Sequence, residues 1–234
     1  SCAYRAFAVE ELADVSAVTD VAATDWYAQD MAKAVQMGTL VLDTEMRPRD
    51  KITRQEAFTM LARAFRLVSA DADHETLFSD KADIADWALK ALESMVAAGY
   101  VHGSDGRLNP TAPITRAEFA VVMDSLVKHY IDAAGIVTEV VSLGNVLVRV
   151  PGVTFQNVTV KGDLVLADGV GEGDVTLDNV KVGGRTVIRG GAGRGGNGGG
   201  DSIIVKGNSD LGRIIAAKAD CRVHISVEGT EFEN

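Results

Sequence analysis

Two arginines, Arg54 and Arg116, hold the positions in this chain that most suggest ligand chemistry. Each directly follows a threonine that begins a predicted helix. A cation at a helix N-terminus opposes the helix dipole at a cost of about 0.3–1 kcal/mol, so its occurrence at both places needs a reason. Two reasons remain open. Either the guanidinium and the first-turn N–H groups bind an anion such as a carboxylate, or the arginine pairs with a nearby acidic side chain on the surface.

The threonine and the glutamate that flank each arginine are predicted to be structural. Thr53 with Glu56, and Thr115 with Glu118, have the spacing of a capping box. In this arrangement the hydroxyl accepts the N–H three residues on, and the glutamate accepts the N–H of the threonine. These four residues are therefore expected to begin two helices rather than to contact a ligand.

The two helix starts belong to one internal repeat of the sequence. Residues of a first copy recur in a second copy at a nearly constant offset, and the pairs are Asp20 and Asp80, Trp26 and Trp87, Gly38 and Gly99, Pro48 and Pro110. A repeat kept in register over this distance indicates two copies of one helix–loop–helix unit that stack on each other.

The second copy resembles the S-layer homology repeat. The resemblance rests on a leading Asp, a Trp, loop glycines, a Pro and a Thr-Arg-Ala-Glu block, which are here Asp80, Trp87, Gly99, Gly103, Gly106, Pro110 and residues 115–118. It covers about residues 18 to 130. The first copy departs from the pattern at Val41 and Leu42, where the second loop glycine is expected, and at Gln55, which replaces the Ala.

This resemblance implies a protein of the Gram-positive cell envelope that is held there without a covalent bond. Such proteins usually bind a pyruvylated secondary cell-wall polysaccharide, an anionic glycan, in grooves between repeats. By the same resemblance, Arg54 and Arg116 contact the pyruvate carboxylate and no cofactor is needed. The resemblance also implies that the grooves are lined by Asp20, Trp26, Asp80, Trp87 and Gly103.

After Gly135 the helical pattern gives way to short Val, Ile and Thr runs separated by Gly and Asp. This half has its own repeat, since Val153 and Asn157 recur as Val175 and Asn179, a period of about 22 residues. The next step, from Val175 to Ile203, is longer, which an insertion in the glycine-rich tract 190–200 explains. A fixed period of this length predicts a short parallel β-helix or solenoid, with the two asparagines stacked in a structural role.

The predicted fold class is therefore an α+β chain of two domains. Residues 1–134 are expected to form all-α helical S-layer homology repeats, complete at about 18–68 and 78–130, and residues 135–234 the β-solenoid with its insertion at 190–200. The segment 1–14 is open to two interpretations. One interpretation is that it is the tail of another repeat, because residues 3–7 resemble residues 62–65. The other is that it forms a plain N-terminal helix.

Composition and residue spacing exclude several classes of protein. The net charge of −10 argues against nucleic acid and anionic membranes as partners, and no apolar run reaches the roughly 18 residues of a membrane span. The four histidines have no metal-ligand spacing. Solvated turns explain the acidic stretch 168–178 better than a Ca²⁺ loop, because its spacing fits neither an EF-hand nor the glycine-rich nonapeptide repeat. A disulfide between Cys2 and Cys221 stays open.

Together these observations predict a non-enzymatic, extracellular protein of the cell wall or S-layer, anchored through its repeats. One alternative is a self-assembling surface-layer or filament subunit, in which the helical half and the solenoid ends contact other copies of the chain. A second alternative, an enzyme that degrades envelope polysaccharide, is the least favoured, because only the acidic stretch 168–178 offers candidate catalytic groups.

Overall fold

The computed structural model describes residues 6–67, 78–138, 144–191, 203–217 and 225–228. They form two compact units. The first unit contains the described residues of Val9–Ser125, and the second contains those from Leu126 onward together with Ala6–Ala8. Within these ranges, every helix is too short or too polar to cross a membrane.

The described part of the first unit contains two α-helices in each copy of the repeat. They are α1 (Ala28–Gln36) and α2 (Arg54–Ala64) in the first copy, and α3 (Asp86–Ala97) and α4 (Arg116–Leu126) in the second. A 3-10 turn, Lys81–Asp83, precedes α3. Gly38 and Gly99 follow α1 and α3 with φ of +76° and +73°, a left-handed conformation that ends a helix and favours glycine.

Both predicted capping boxes are confirmed. The Thr53 N–H donates to Glu56 Oε2 at 2.7 Å, and the Glu56 N–H donates to the Thr53 hydroxyl at 3.3 Å. At the start of α4 the Thr115 N–H donates to Glu118 Oε2 at 2.8 Å, and the Glu118 N–H donates to the Thr115 hydroxyl at 3.2 Å. The sequence motif therefore fixes where α2 and α4 begin.

The second copy packs on the first through α2 and α3. Phe58 of α2 and Leu92 and Met95 of α3 are at most 2% exposed and lie in the core of this unit. At the start of α3, the side-chain carbonyl of Gln55 accepts the Ala85 N–H at 3.0 Å. The residue that departs from the family block, Gln55, thus serves the contact between the two copies.

The described part of the second unit consists of short parallel strands. They are β1 (His129–Ile131), β2 (Gly135–Val137), β3 (Val146–Val148), β4 (Val153–Gln156), β5 (Thr159–Val160), β6 (Leu164–Leu166), β7 (Val175–Asp178), β8 (Lys181–Val182), β9 (Arg185–Ile188), β10 (Ile203–Lys206), β11 (Arg213–Ala216) and β12 (Ile225–Glu228). One sheet has the order β1-β3-β6-β9-β11, another β12-β10-β7-β4-β2, and β5 pairs with β8.

The strands pair in the register of the sequence repeat. Val153 of β4 pairs with Val175 of β7, and Val175 pairs in turn with Ile203 of β10, across the longer step. Asn157 and Asn179 follow β4 and β7 with φ of +55° and +54°, which asparagine tolerates better than most residues. The Asn179 side-chain carbonyl also accepts the Asn208 N–H at 2.9 Å, so this asparagine stabilises a turn.

The predicted fold class, all-α helical repeats followed by a β-solenoid, is wrong. The helices of the first unit are separated by long loops, which isolated β-bridges and the carboxylates of Asp20 and Asp80 hold in non-helical conformations. Parallel sheets dominate the rest of the described chain. A solenoid is not shown, since segments 139–143, 192–202 and 218–224, which link strands, lie outside the described residues, as does most of the glycine tract.

Candidate functional site

The first of the two predicted ligand contacts, Arg54, is engaged within the protein. Its Nε donates to the Leu108 carbonyl at 2.7 Å, and its guanidinium forms an ion pair with Glu118. The same guanidinium lies 5.1 Å from the centre of the Phe58 ring. Only 11% of the side chain is exposed. Arg54 therefore joins the two repeat copies through the second copy's loop and capping glutamate.

The first-turn N–H groups of α2 are engaged in the same way. The Arg54 N–H donates to the Ala112 carbonyl at 2.9 Å, and the Gln55 N–H donates to the Pro110 carbonyl at 2.9 Å. The Glu56 N–H donates to the Thr53 hydroxyl. The donors that could surround an anion at this helix end are thus already paired with the second copy.

Arg116 occupies the equivalent place on α4 in a different environment. Its side chain is exposed and forms no ion pair with any described residue. Within the described part of the chain, the N–H groups of Arg116 and Ala117 also have no backbone acceptor. A guanidinium and two open helix N–H groups at one helix end are suited to an anionic ligand.

Asp80, expected to line a groove, holds the second-copy loop instead. Its carboxylate is 4% exposed and accepts the N–H groups of Leu108 at 2.9 Å and Asn109 at 2.7 Å. Burial raises the pKa of Asp80, but these two hydrogen bonds and the positive charge of Arg107 outweigh that effect and hold the pKa below its usual value. Asp80 is therefore ionised and structural.

Asp20 does the same for the first-copy loop. It accepts the N–H of Met46 at 2.9 Å and of Arg47 at 2.7 Å, and the bond from Met46 lowers the pKa of Asp20 most. Unlike Asp80, it is partly exposed. The leading Asp of each copy thus closes a loop 26 to 29 residues further on.

The predicted aromatic contacts are exposed, whereas the predicted glycine is half-buried and packs against Phe78. Trp26 is 86% exposed and lies edge-on to Tyr27, with 5.4 Å between ring centroids. Trp87 is 53% exposed. At Gly103 a Cβ atom would lie 2.2 Å from the Phe78 ring, so this position needs glycine for packing.

One pocket beside Trp26 includes residues that the sequence did not single out. It has a volume of about 350 Å³ and is lined by Asp20, Asp25, Tyr27, Arg47, Pro48, Arg49 and Asp50, together called the first-copy pocket. Its charges are partly paired, since Arg47 forms an ion pair with Glu56 at 3.2 Å. A hydrogen bond with Tyr27 and the charge of Asp25 raise the pKa of Arg49. One difference between the copies could have indicated this pocket from the sequence: the first copy has Arg49 at the position where the second copy has Thr111.

The acidic stretch of the second unit does not form a metal site in the described residues. Asp168 is held in an ion pair with Arg189 at 2.7 Å, and the Arg189 guanidinium lies 5.4 Å from the Phe7 ring. In the described ranges, no three His, Cys, Asp or Glu side chains form a group that could hold a metal ion.

Comparison with known proteins confirms the resemblance seen in the sequence. The model of the S-layer homology domain matches residues 19–58 and 77–120. The Surface-layer 125 kDa protein of Lysinibacillus sphaericus is 38% identical over 116 residues, which are 47% of this chain and 10% of that protein.

Two further relatives carry other names. Exoglucanase XynX of Acetivibrio thermocellus is 30% identical over 115 residues, or 47% of this chain and 11% of that protein. Amylopullulanase of Thermoanaerobacterium thermosulfurigenes is 31% identical over 115 residues, or 47% of this chain and 6% of that protein. The matched region is thus about a tenth or less of each relative's length.

These matches agree with the two repeat copies in the first unit and with the location expected from them. The chain carries two S-layer homology domains, is homologous to a bacterial S-layer protein, and is a protein of the cell surface and cell wall.

Proposed function

We propose that the first unit anchors this protein to the cell wall by binding an anionic, pyruvylated secondary cell-wall polysaccharide. The carboxylate of the pyruvyl group meets Arg116 and the open N–H groups at the start of α4. The observation that carries the proposal is the exposure of Arg116 in a chain with two S-layer homology domains.

The residues of the proposed site have unequal roles. Arg116 supplies the charge, and Trp26 and Trp87 offer exposed rings on which sugar faces can pack. Arg54 and Asp80 belong to the contacts that hold the two copies and the loop in place. They support the site without touching the glycan, because their polar groups are already paired.

The first unit is acidic, so local cations are needed to hold an acidic polymer against general repulsion. Residues 1–134 carry more acidic than basic side chains, in a chain of net charge −10. A charge-assisted pair between a guanidinium and a carboxylate is stronger than a neutral hydrogen bond. Binding through Arg116 should therefore weaken as salt is raised.

The anchoring proposal is tested by retention on purified cell-wall sacculi. Arg116→Ala should weaken binding by about 5- to 100-fold, as expected for losing one charge-assisted contact. Arg213→Ala, an exposed arginine of the second unit, is the matched control and should bind as the unaltered chain does. Sacculi from which mild acid has removed the secondary polymer should retain neither the unaltered chain nor the variants.

Two outcomes would contradict this proposal. Equal retention on stripped and intact sacculi would show that the polymer is not the ligand. Normal retention of Arg116→Ala on intact sacculi would keep the anchoring role but remove Arg116 from the site. No catalytic step is proposed, since the relatives named as glycan-degrading enzymes share only 6–11% of their own length with this chain.

A further inference from the structure

We propose that Lys51 is a second cation of the anion site at the start of α4. It belongs to the first copy, and the segment that carries it runs along the helix start of the second copy. There Lys51 and Arg116 hold one ligand carboxylate from two sides. This inference rests on the proposed function, because it adds a binding residue to the same site.

The segments that precede α2 and α4 pair with each other in antiparallel fashion. Thr53 and Pro113 form a β-bridge. Beside this bridge, the Ile114 N–H donates to the Ile52 carbonyl at 3.1 Å. Each segment therefore runs along the start of the other copy's helix. These contacts join only residues of the two described copies.

Lys51 is the next residue along this pairing. The register that sets Thr53 opposite Pro113 sets Lys51 opposite Thr115, whose hydroxyl caps α4. Residues opposite each other in an antiparallel pair have their side chains on the same face. The ammonium group of Lys51 is therefore brought to the first turn of α4, where Arg116 directly follows the cap.

Both cations are available to a ligand. Lys51 and Arg116 are exposed, and neither forms an ion pair within the described ranges. The carboxylate of Glu118, two residues after Arg116, is already paired with the Arg54 guanidinium. The carboxylate of Asp50, next to Lys51, lines the first-copy pocket. The charge of the two cations is thus left for a ligand.

The start of α2 has a proline where the start of α4 has this lysine. Pro113 is the equivalent of Lys51 in the second copy, and it lies against Thr53, the cap of α2. The Arg54 guanidinium at that helix start is held by the Leu108 carbonyl and by a carboxylate. The pair of cations is therefore a feature of α4 and not of the repeat in general.

A second cation changes what the site holds best. An arginine binds a carboxylate through two parallel hydrogen bonds, whereas a lysine adds a compact charge that needs no fixed geometry. Together, Lys51 and Arg116 favour a fully charged carboxylate over an uncharged sugar. Because both contacts are electrostatic and exposed, salt should weaken them together.

The test is isothermal titration calorimetry of the full chain with a pyruvylated methyl glycoside. Lys51→Gln removes the charge and keeps a side chain of similar shape. It should weaken binding by about three- to tenfold and keep its melting temperature, since the position is exposed. Lys51→Arg, which keeps the charge, should bind as the unaltered chain does. Lys161→Gln, at an exposed lysine of the second unit, is the matched control.

A double-mutant cycle shows whether the two cations hold the same carboxylate. If they do, Lys51→Gln and Arg116→Ala together should weaken binding by less than the product of their separate effects. The same glycoside without its pyruvyl group should bind equally to Lys51→Gln and to the unaltered chain. Losses that simply multiply, or an equal loss for the uncharged glycoside, would overturn the inference.

Failure of this inference and failure of the anchoring proposal give different results. If Arg116→Ala loses affinity for the pyruvylated glycoside and Lys51→Gln does not, Lys51 is a solvated surface lysine and the anchoring proposal stands. If the unaltered chain does not bind the pyruvylated glycoside at all, the anchoring proposal is contradicted, and this inference with it.

Discussion

Arg54 and Arg116 hold the same position in two copies of one repeat, and the structure treats them differently. Arg54 is 11% exposed and bound to a carbonyl, a carboxylate and an aromatic face. Arg116 is exposed and forms no ion pair with a described residue. The difference arises because the second copy packs over the start of α2 in the first copy, whereas the start of its own helix α4 stays exposed. Residues at equivalent positions of a repeat can therefore have different roles: one is structural, and the other is exposed and available to a ligand.

The largest expected effect concerns the two loop-closing aspartates. Asp80→Ala removes a buried carboxylate and leaves the N–H groups of Leu108 and Asn109 without their charged acceptor, so it should lower the free energy of unfolding by about 3 kcal/mol. Asp20→Ala removes the same bonds at a partly exposed position, where water can replace them, and should cost clearly less. Urea unfolding followed by circular dichroism measures both. Equal losses would show that burial does not distinguish the two copies.

A second prediction separates the two arginines by stability. Arg54→Ala should lower the free energy of unfolding by about 2 kcal/mol, because it removes buried contacts between the copies. Arg116→Ala should change it by less than about 0.5 kcal/mol, as is usual for an exposed position. The difference is read from urea unfolding of the same Arg116→Ala variant used for sacculus binding and of its Arg54→Ala counterpart.

A double-mutant cycle identifies the source of the Arg54 effect. If the pair with Glu118 contributes, then Arg54→Ala and Glu118→Gln should cost less together than the sum of their separate effects, by about 1 kcal/mol. The matched pair of Arg116 and Glu56, equivalent by sequence, should show no coupling in the monomer. Coupling there would contradict the contrast between the two copies.

The smallest effect is on the pH dependence of stability. Hydrogen bonds lower the folded-state pKa of Asp20, Asp80 and Glu118. Each group therefore contributes stability that is present above its unfolded pKa and is lost as pH falls through the lower folded value. The melting temperature of the first unit should be steady near neutral pH and fall below about pH 4. Asp80→Asn should flatten that fall, and an unchanged slope would remove Asp80 from its cause.

Sequence alone determined the local features of this protein. The capping boxes at Thr53 and Thr115 and the helix ends at Gly38 and Gly99 follow from residue types a few positions apart. The S-layer homology domains and the register of the paired strands were also readable, because repeats preserve spacing. These features depend on short-range geometry, which every copy of a motif shares.

The tertiary structure decided which repeated residues remain available. The pair between Arg54 and Glu118 joins positions 64 residues apart, and no spacing rule predicts it. The same is true of the first-copy pocket and of the loop closures by Asp20 and Asp80. The predicted fold class was wrong for a related reason. Helical periodicity does not reveal how many residues are held in loops by long-range hydrogen bonds. Burial depends on what packs against a residue, and that is fixed only when distant segments meet.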